Sequence, residues 1–359
     1  MSDFDPNFES SVQQSTPEFL LSAISGQLSE QSLQRLATDL LASPWQVRTF
    51  GISADQVTTI VVQRLEQMRQ IYPDLQNFCQ MRFGWNCPLT TLWNLWLPLA
   101  NQIVCGQRAI HRPLVQGILG GQGTGKTTLT LILSEILRYF DLRVCCLSID
   151  DLYKTYAERQ KLQVVDPRFR WRGPPGTHDI ELGLTTLRQL RQGQHRVPIP
   201  RFDKSLYNGA GDRAEPECVT GTDIILFEGW FVGARPVEPQ VFATAPPPIT
   251  TNADRDFACE VNRRLQDYLP LWGLLDRLWV LCPSDYRLSQ QWRRQAEQQM
   301  IASGKSGMSD AEIGEFVEYF WRALHPELFI QPLLTDAQHV DLVIEIDANH
   351  QPGKVYCPG

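Results

Sequence analysis

The sequence predicts an α/β protein in which a doubly wound parallel sheet follows an N-terminal all-helical region. From residue 16 to 109, apolar residues recur at three- and four-residue steps, which is the period of an amphipathic helix. From residue 112 onwards, short apolar runs alternate with helical patterns, as in buried parallel strands joined by helices. We therefore divide the chain into a helical N-terminal region, residues 1–109, and an α/β domain, residues 110–359.

In the N-terminal region, the first helix is indicated by Phe19, Leu20, Ile24 and Leu28. A later helix is predicted to begin with an N-cap at Ser53 and to end at Pro73. Residues 88–105 form a strongly apolar segment. Because aromatic residues at helical spacing usually pack in the core, we interpret this segment as a core helix rather than a ligand-binding surface.

In the α/β domain, five apolar runs are predicted to be strands: residues 114–119, 143–149, 223–227, 278–282 and 342–346. Helices are predicted at residues 126–139, 180–192 and 286–302. The proline-rich interval 235–256 is predicted to be an exposed loop. Ligands of a doubly wound sheet bind at the carboxyl ends of its strands, so the residues that follow these runs are the candidates for function.

Composition and charge narrow the choice of partners. The chain has 359 residues, 43% of them hydrophobic, and can bury a large core. A net charge of -7 argues against binding to nucleic acid, and no apolar run of about 18 residues predicts a membrane span. The nine cysteines contain no CxxC pair, and the N-terminal residues lack the features of a secretory signal or transit peptide. These observations favour a cytoplasmic protein with a small-molecule substrate; they do not indicate an oligomeric state.

The turn after the first predicted strand carries the clearest functional pattern. Residues 120–127 match G-x-x-x-x-G-K-[ST], the phosphate-binding loop (P-loop) of nucleotide-binding enzymes, between a strand and a helix. The predicted ATP-binding residues are Gly120, Gly121, Gln122, Gly123, Thr124, Gly125, Lys126, Thr127 and Thr128. Lys126 is expected to contact the β- and γ-phosphates and the hydroxyl of Thr127 to bind Mg2+. ATP and Mg2+ are thus the predicted cofactors.

Acidic residues follow the next two strands. Asp150 and Asp151 come after the second strand, where a carboxylate could orient an acceptor hydroxyl and take its proton; we choose Asp150 as this base. A capping role for both acids is the alternative. Glu228 ends the third strand and is predicted to bind Mg2+ through water. Arg293, in an arginine-rich helix with Arg287 and Arg294, is the predicted cation for the transferred phosphoryl group, although such helices often only face solvent.

Several further segments carry a family resemblance. They are GQGTGKTT at 121–128, LSIDDLY at 147–153, RGPPGTHD at 172–179, PRFDKS at 200–205, GDRA at 211–214, FEGW at 227–230, WRRQAE at 292–297 and GKSGMSD at 304–310. Together they resemble P-loop kinases related to uridine kinase, phosphoribulokinase and pantothenate kinase, and within them the plant and cyanobacterial type of D-glycerate 3-kinase. The resemblance covers about residues 113 to 347. The sequence departs from the family's more common residues at Leu152 and at Pro174–Pro175. Both departures concern the acceptor loop.

The resemblance implies phosphorylation of D-glycerate to 3-phosphoglycerate, with Asp150 activating the acceptor hydroxyl, and photorespiratory glycerate salvage in a photosynthetic host. A small carboxylate with two hydroxyls needs a cation and hydrogen-bonding groups. The predicted substrate-binding residues are Asp151, Tyr153, Arg172, His178, Arg201 and Lys204, of which Arg201 and Lys204 are assigned to a loop stiffened by prolines.

Two other functions stay open at this stage. A kinase of the same fold could act on uridine or pantothenate. A nucleotide-dependent switch or transport ATPase is the alternative from another class, but a single phosphate loop without a Leu-Ser-Gly-Gly-Gln signature argues against it.

Overall fold

A computed structural model gives the structure of residues 17–26, 29–302 and 308–359. Leu28 and the segment 303–307, which includes most of the GKSGMSD motif, lie outside the described residues. The chain divides into two compact units. The first comprises the residues up to Ala109 together with residues 131–142 and 354–356, and the second comprises residues 110–130, 143–353 and 357–359.

The first unit is built on helices that begin and end at recognisable residues. Its N-terminal helices are α1 (Pro17–Ile24), α2 (Glu30–Leu41), α3 (Pro44–Phe50) and α4 (Val57–Phe83). The side chain of Ser29 caps α2 by accepting a hydrogen bond from the backbone N–H of Ser32. Gly51 and Gly84 end α3 and α4 in the left-handed conformation that glycine adopts readily.

Helix α4 differs from the prediction at both ends. It begins at Val57, with Gln56 as a cap that makes no side-chain hydrogen bond, so the predicted Ser53 cap is wrong. It also continues through Pro73 to Phe83. The buried stripe of Leu65, Met68 and Ile71 carries on beyond the proline in Leu75 and Cys79, and this packing outweighs the hydrogen bond that the proline cannot make.

The apolar segment predicted at 88–105 is helical and buried. It consists of α5 (Leu89–Thr91), a π-helical turn (Leu92–Trp96) and α6 (Leu97–Ile110). Trp93 and Trp96 are buried, which confirms the expectation of a core helix.

The α/β fold is confirmed, with all five predicted strands parallel. They are β1 (Leu114–Gly120), β2 (Val144–Ser148), β5 (Ile224–Gly229), β6 (Arg277–Pro283) and β7 (Leu342–Ile346). The sheet order is β2-β5-β1-β6-β7, and β8 (Pro352–Tyr356) lies at its edge. Since β1 is central and the chain crosses to both sides of it, the carboxyl ends of β1, β2 and β5 meet at one edge.

The remaining α-helices of the described residues are α7 (Lys126–Arg138), α8 (Tyr156–Val165), α9 (Ile180–Arg191), α10 (Asn252–Leu265), α11 (Leu269–Trp272), α12 (Leu288–Ala302), α13 (Asp310–Ala323) and α14 (Pro326–Phe329). Residues 235–256, predicted to be an exposed loop, contain a 3-10 helix, Pro239–Thr244, that buries Phe242, and α10 begins within them. That prediction is therefore wrong in part, because Pro239 begins a helical turn rather than excluding one.

A second correction concerns the predicted acceptor loop. Residues 198–205 are mostly strand: β3 (Arg196–Asp203) pairs with β4 (Asp212–Thr220) in a two-stranded antiparallel sheet. Val197 and Ile199 are buried whereas Arg196 and Pro198 are exposed, which is the alternation of a strand. Prolines are tolerated here because a two-stranded sheet consists only of edge strands. Arg201 thus lies on a strand, and Lys204 directly follows it.

Candidate active site

The phosphate loop joins β1 to α7. Gly123 and Gly125 have φ angles of 82° and 83°, a conformation that favours glycine. A Cβ at Gly120 would lie 2.5 Å from the hydroxyl of Thr124, so this position also requires glycine. Lys126 begins α7, and its Nζ donates to the carbonyl of Gly121 at 3.0 Å. The ammonium group of Lys126 is therefore bound by the backbone of the same loop.

Two residues outside the motif contact this loop. Trp292 on α12 packs so closely on Gly123 that a Cβ there would lie 2.7 Å from the Cβ of Trp292. His350 stacks on Trp292 at 4.6 Å, and its Nδ1 lies 3.0 Å from the carbonyl oxygen of Gly123. Sequence reasoning did not assign these contacts, since they join residues far apart in the chain.

Thr127 and Glu228 lie together at the end of the sheet. Strand β5 is parallel to β1, with Glu228 opposite Ile118, and the hydroxyl of Thr127 donates to Oε1 of Glu228 at 3.2 Å. Glu228 is buried. A hydroxyl and a carboxylate are hard oxygen ligands of the kind that Mg2+ takes, with water completing its coordination, so the pair fits a Mg2+ site.

The paired acids after β2 lie in different environments. Asp150 accepts hydrogen bonds from the hydroxyl of Tyr153 at 2.8 Å and from Nζ of Lys204 at 2.6 Å. Burial alone would raise the pKa of Asp150, but Lys204, and after it the Tyr153 hydroxyl, outweigh burial and hold the pKa below its ordinary value. Asp150 is therefore ionised at neutral pH.

Asp151 instead closes the turn that follows β2. Its carboxylate accepts from the backbone N–H of Ser148 at 3.0 Å, in a capping box, and pairs with Arg201 at 3.1 Å. Burial raises the pKa of Asp151, against the opposing effects of that N–H and of Arg201. These hydrogen bonds stabilise the turn. Of the two acids for which a capping role was the alternative, Asp151 therefore has such a role.

Charged groups converge around Lys126. Burial lowers the pKa of Lys126, while the nearby carboxylates of Glu228 and Asp150 oppose that shift and Lys204 reinforces it. The structure thus brings the predicted base, the predicted Mg2+ ligand and one predicted substrate cation close to the phosphate loop.

The predicted substrate cations differ in how far their charge is already balanced. Arg201 pairs with Glu217 at 2.7 Å as well as with Asp151. Arg172 donates to the carbonyls of Gly209 and Ala210 and lies over the ring of Tyr153, 5.9 Å from its centroid. In the described part of the chain, no carboxylate forms an ion pair with Arg172.

His178 is buried and stacks on Tyr153, with 4.6 Å between the ring centroids. Its Nδ1 lies 2.7 Å from the hydroxyl of Tyr268, whose oxygen accepts from the backbone N–H of Gly176 at 2.9 Å. A tyrosine hydroxyl that accepts from Gly176 still has its own proton to donate, and when it donates to Nδ1 the neutral ring carries its proton on Nε2. Burial lowers the pKa of His178 to about 3. Its Nε2 has no hydrogen-bond partner among the described residues. Tyr268 was missed from sequence, where nothing links it to His178.

Comparison with known proteins places this chain in a family. No family model matches the chain. The chloroplastic D-glycerate 3-kinase of Arabidopsis thaliana is 33% identical over 256 residues, 67% of this chain and 54% of the plant protein. An uncharacterised kinase of Schizosaccharomyces pombe is 32% identical over 256 residues, which cover 90% of that protein. The chain belongs to the D-glycerate 3-kinase family of P-loop kinases.

A solved structure agrees with this membership. D-glycerate 3-kinase from Cryptococcus neoformans var. grubii matches with a TM-score of 0.66 and 26% identity, over 73% of this chain and 99% of that one. The region shared with the plant member spans only about half of the plant protein's length. In this member of the glycerate kinase family, no helix of the described residues is long and apolar enough to cross a membrane.

Within this kinase fold, Arg293 is the predicted residue whose placement differs most from its proposed role. It forms an ion pair with Glu297, one turn along α12, and lies over the ring of Phe316 at 5.0 Å. Its neighbour Trp292 is the residue of α12 that packs on the phosphate loop. The assignment of Arg293 to catalysis stays a prediction.

Proposed function

We propose that this protein transfers the γ-phosphoryl group of ATP to the 3-hydroxyl of D-glycerate, forming 3-phosphoglycerate and ADP. One observation carries the proposal beyond family membership: an ionised carboxylate, that of Asp150, lies at the carboxyl end of β2 and interacts electrostatically with the phosphate-loop Lys126. Such a carboxylate suits an alcohol acceptor, whose proton must leave as its oxygen attacks phosphorus.

In the proposed reaction, the backbone of the phosphate loop binds the phosphates of ATP, and Lys126 exchanges the Gly121 carbonyl for phosphate oxygens. The 3-hydroxyl oxygen of glycerate forms a bond to the γ-phosphorus while the bond to the β–γ bridging oxygen breaks. The hydroxyl proton passes to Asp150, and ADP leaves. Tyr153 and Lys204 keep the carboxylate oriented by donating to its two oxygens.

Mg2+ is proposed to bind at Thr127 and Glu228, whose oxygens lie 3.2 Å apart. When bound there, the ion offsets the negative charge of the phosphates. Glu228 contributes a buried carboxylate that would orient the water ligands of the ion, and Thr127 contributes its hydroxyl.

The carboxylate of glycerate is proposed to bind Arg172, with Lys204 beside it. Arg172 is supported by its position over Tyr153, the residue that contacts Asp150, and by its unbalanced charge in the described residues. Arg201 is a weaker candidate because two carboxylates already pair with it. A role in photorespiratory salvage is a further proposal that rests on the sequence resemblance, and a cytoplasmic location is one that rests on the cysteine content and the N-terminal residues.

The proposal is tested by incubating the purified protein with ATP, Mg2+ and D-glycerate and identifying the product by NMR. 3-Phosphoglycerate is expected, with L-glycerate, uridine and pantothenate as comparison acceptors. Formation of 2-phosphoglycerate, or faster phosphorylation of uridine or pantothenate, would contradict the assignment. ATP hydrolysis at full rate without an acceptor would favour a nucleotide-dependent switch instead.

A further inference from the structure

A second feature of the α/β unit is a polar cavity of about 190 Å3 at the amino end of β6. Arg277 at the start of β6 lines it, together with Arg235 after β5 and the residues 337–341 before β7. Gly120 of the phosphate loop lies opposite Leu281, which at about 3.3 Å per residue is about 13 Å along β6 from Arg277. The cavity is therefore separate from the proposed ATP site.

One of the two carboxylates in the cavity wall, that of Asp276, already has hydrogen-bond donors at both oxygens. Arg112 donates to both of them, and Arg191 donates to Oδ1 at 3.0 Å. The backbone N–H of Val115 donates to Oδ2 at 2.9 Å. Two guanidinium groups thus surround this acid, and their charges more than balance its own.

The second carboxylate in the wall, that of Asp341, belongs to an exposed residue. Among the described residues, only the backbone N–H of Leu278 donates to it, to Oδ2 at 2.8 Å. His339, which also lines the cavity, pairs with Asp336 instead, with 2.7 Å between Nδ1 and Oδ2. Oδ1 of Asp341 is therefore open to a donor on a ligand.

The guanidinium group of the half-buried Arg235 has no counter-ion among the described residues. It forms neither a hydrogen bond nor an ion pair with any of them, and its Nε is buried without an acceptor. Its two Nη groups are therefore the part that can reach a ligand. Gln338 lines the same cavity, and its exposed side-chain amide makes no hydrogen bond within the described part of the chain. Because partial burial of an unpaired charge costs free energy, an anion that reaches Arg235 is stabilised.

The volume and the polar groups of the cavity select a small oxyanion that keeps a proton. A volume of about 190 Å3 is below the roughly 300–1,000 Å3 of pockets that hold drug-sized ligands, so a nucleotide is too large. Arginine binds phosphate and carboxylate groups alike, but the carboxylate of Asp341 only accepts hydrogen bonds and repels an anion without a proton. Hydrogen phosphate has oxygens for the arginine and an O–H for the acid. Sulfate lacks such a proton, and so do most phosphate monoesters at pH 7.5, because their second pKa is about 6.

We propose that this cavity binds inorganic phosphate as the hydrogen phosphate ion. The deprotonated oxygens of the ion accept hydrogen bonds from Arg235 and Gln338, Arg277 adds positive charge, and the hydroxyl of the ion donates to Oδ1 of Asp341. The ion is bound and not transformed. The inference goes beyond the proposed kinase reaction, because the cavity contains none of the residues assigned to ATP, Mg2+ or glycerate.

The test is isothermal titration calorimetry of the full chain at pH 7.5 and constant ionic strength. AMP-PNP, a non-hydrolysable ATP analogue, and Mg2+ are present to fill the phosphate loop. Potassium phosphate is compared with potassium sulfate and with methyl phosphate, a monoester. We expect one phosphate ion to bind per chain, at least tenfold more tightly than the other two anions. Absence of phosphate binding, or equal affinities for the three anions, would overturn the proposal.

Three variants locate the ion. Arg235→Gln should weaken phosphate binding at least tenfold, because a charge-assisted hydrogen bond is lost, and should still fold, because Arg235 has no partner among the described residues. Asp341→Asn should bind phosphate and sulfate about equally, since the amide can donate to either anion. Arg196→Gln, at the exposed start of β3, is the control and should bind phosphate like the wild-type protein. Unchanged phosphate affinity in Arg235→Gln would refute the proposal, and this comparison holds whether or not D-glycerate is a substrate.

Discussion

Nζ of Lys204 lies 2.6 Å from Oδ2 of Asp150, so a residue just beyond strand β3 sets the charge of the acid that follows strand β2. Because Lys204 lowers the pKa of Asp150, the acid stays ionised as the pH falls. Removing the lysine must therefore raise that pKa and narrow the pH range in which Asp150 can accept a proton.

Lys204→Ala should move the acid limb of the kcat profile to higher pH, since the base is then protonated earlier as the pH is lowered. The measurement is kcat with saturating ATP and D-glycerate across pH 4 to 8, read about every half unit. Lys161→Ala, an exposed lysine on α8, is the control and should leave the limb in place. An unchanged limb in Lys204→Ala would mean that Asp150 is not the group that titrates.

Asp150→Asn and Asp151→Asn should fail in different ways. Asp150→Asn should reduce kcat by roughly 100-fold or more while the affinity for ATP stays nearly the same, because a positioned base is lost. Asp151→Asn should mainly reduce the free energy of unfolding, by about 1–3 kcal/mol, because Arg201 loses one of its two carboxylate partners. Steady-state kinetics and urea unfolding of both variants test these expectations. If Asp151→Asn lost activity and Asp150→Asn lost stability, the two acids would have the opposite roles.

Arg172→Ala should raise the KM for D-glycerate about tenfold or more and leave the KM for ATP nearly unchanged, since a charge-assisted contact contributes about 1.5–3 kcal/mol. Arg201→Ala should have the smaller effect, because Glu217 and Asp151 already balance its charge. Arg196→Ala, at the exposed start of β3, serves as the control. A rise in the KM for ATP instead would place Arg172 on the nucleotide side.

We expect Tyr268 to donate its hydroxyl proton to Nδ1 of His178, which lies 2.7 Å away, and Tyr268→Phe removes that hydroxyl. The neutral ring can then carry its proton on either nitrogen, so the signals of His178 in 15N-labelled protein should shift from a protonated Nε2 towards a mixture of tautomers. Wild-type protein with Nδ1 already protonated would contradict the hydrogen-bond assignment. Tyr286→Phe provides a control tyrosine on a different element.

The burial of His178 also predicts a pH dependence of stability. Its pKa is about 3 in the folded protein, against about 6.5 in the unfolded chain, so below pH 6.5 the unfolded chain binds more protons. The stabilisation is present above pH 6.5 and is lost as the pH falls towards 3. Between pH 7.5 and 5.5 this residue should account for about 1.4 kcal/mol of lost unfolding free energy. Between these two pH values, the His178→Gln variant should lose about 1.4 kcal/mol less unfolding free energy than the wild-type protein, as measured by urea unfolding. Identical losses in the two proteins would contradict the lowered pKa of His178.

Sequence patterns were sufficient for five of the six strands of the main sheet and for the phosphate loop, because each depends on neighbours in the chain; the edge strand β8 was not predicted. The five strands are mostly apolar runs, largely buried except in β2, where burial alternates, and the loop motif fixes its own glycines, Lys126 and Thr127. The hairpin β3–β4 was missed because Pro198 and Pro200 hide its alternating burial. Prolines argue against a strand in the middle of a sheet, but they do not argue against a strand of a two-stranded sheet, which has one unpaired side.

The division of labour between Asp150 and Asp151 could not be predicted in the same way. The two acids are adjacent and chemically alike, and their different environments come from Lys204 and Arg201, about 50 residues further on. Tyr268 reaches His178 across 90 residues. Local spacing carries no information about such partners, since they meet only when the sheet and its loops are assembled.

The close approach of Trp292 to Gly123 has a consequence for how this loop can evolve. A methyl group at position 123 would lie 2.7 Å from Cβ of Trp292, which is backbone-proximal and cannot rotate away, and the φ of 82° disfavours any side chain. Every residue except glycine has a Cβ, so a smaller side chain at position 292 would leave this contact in place. Related sequences should therefore keep glycine at position 123 whatever stands at 292, whereas position 292 is free to vary only among residues that still cover the glycine.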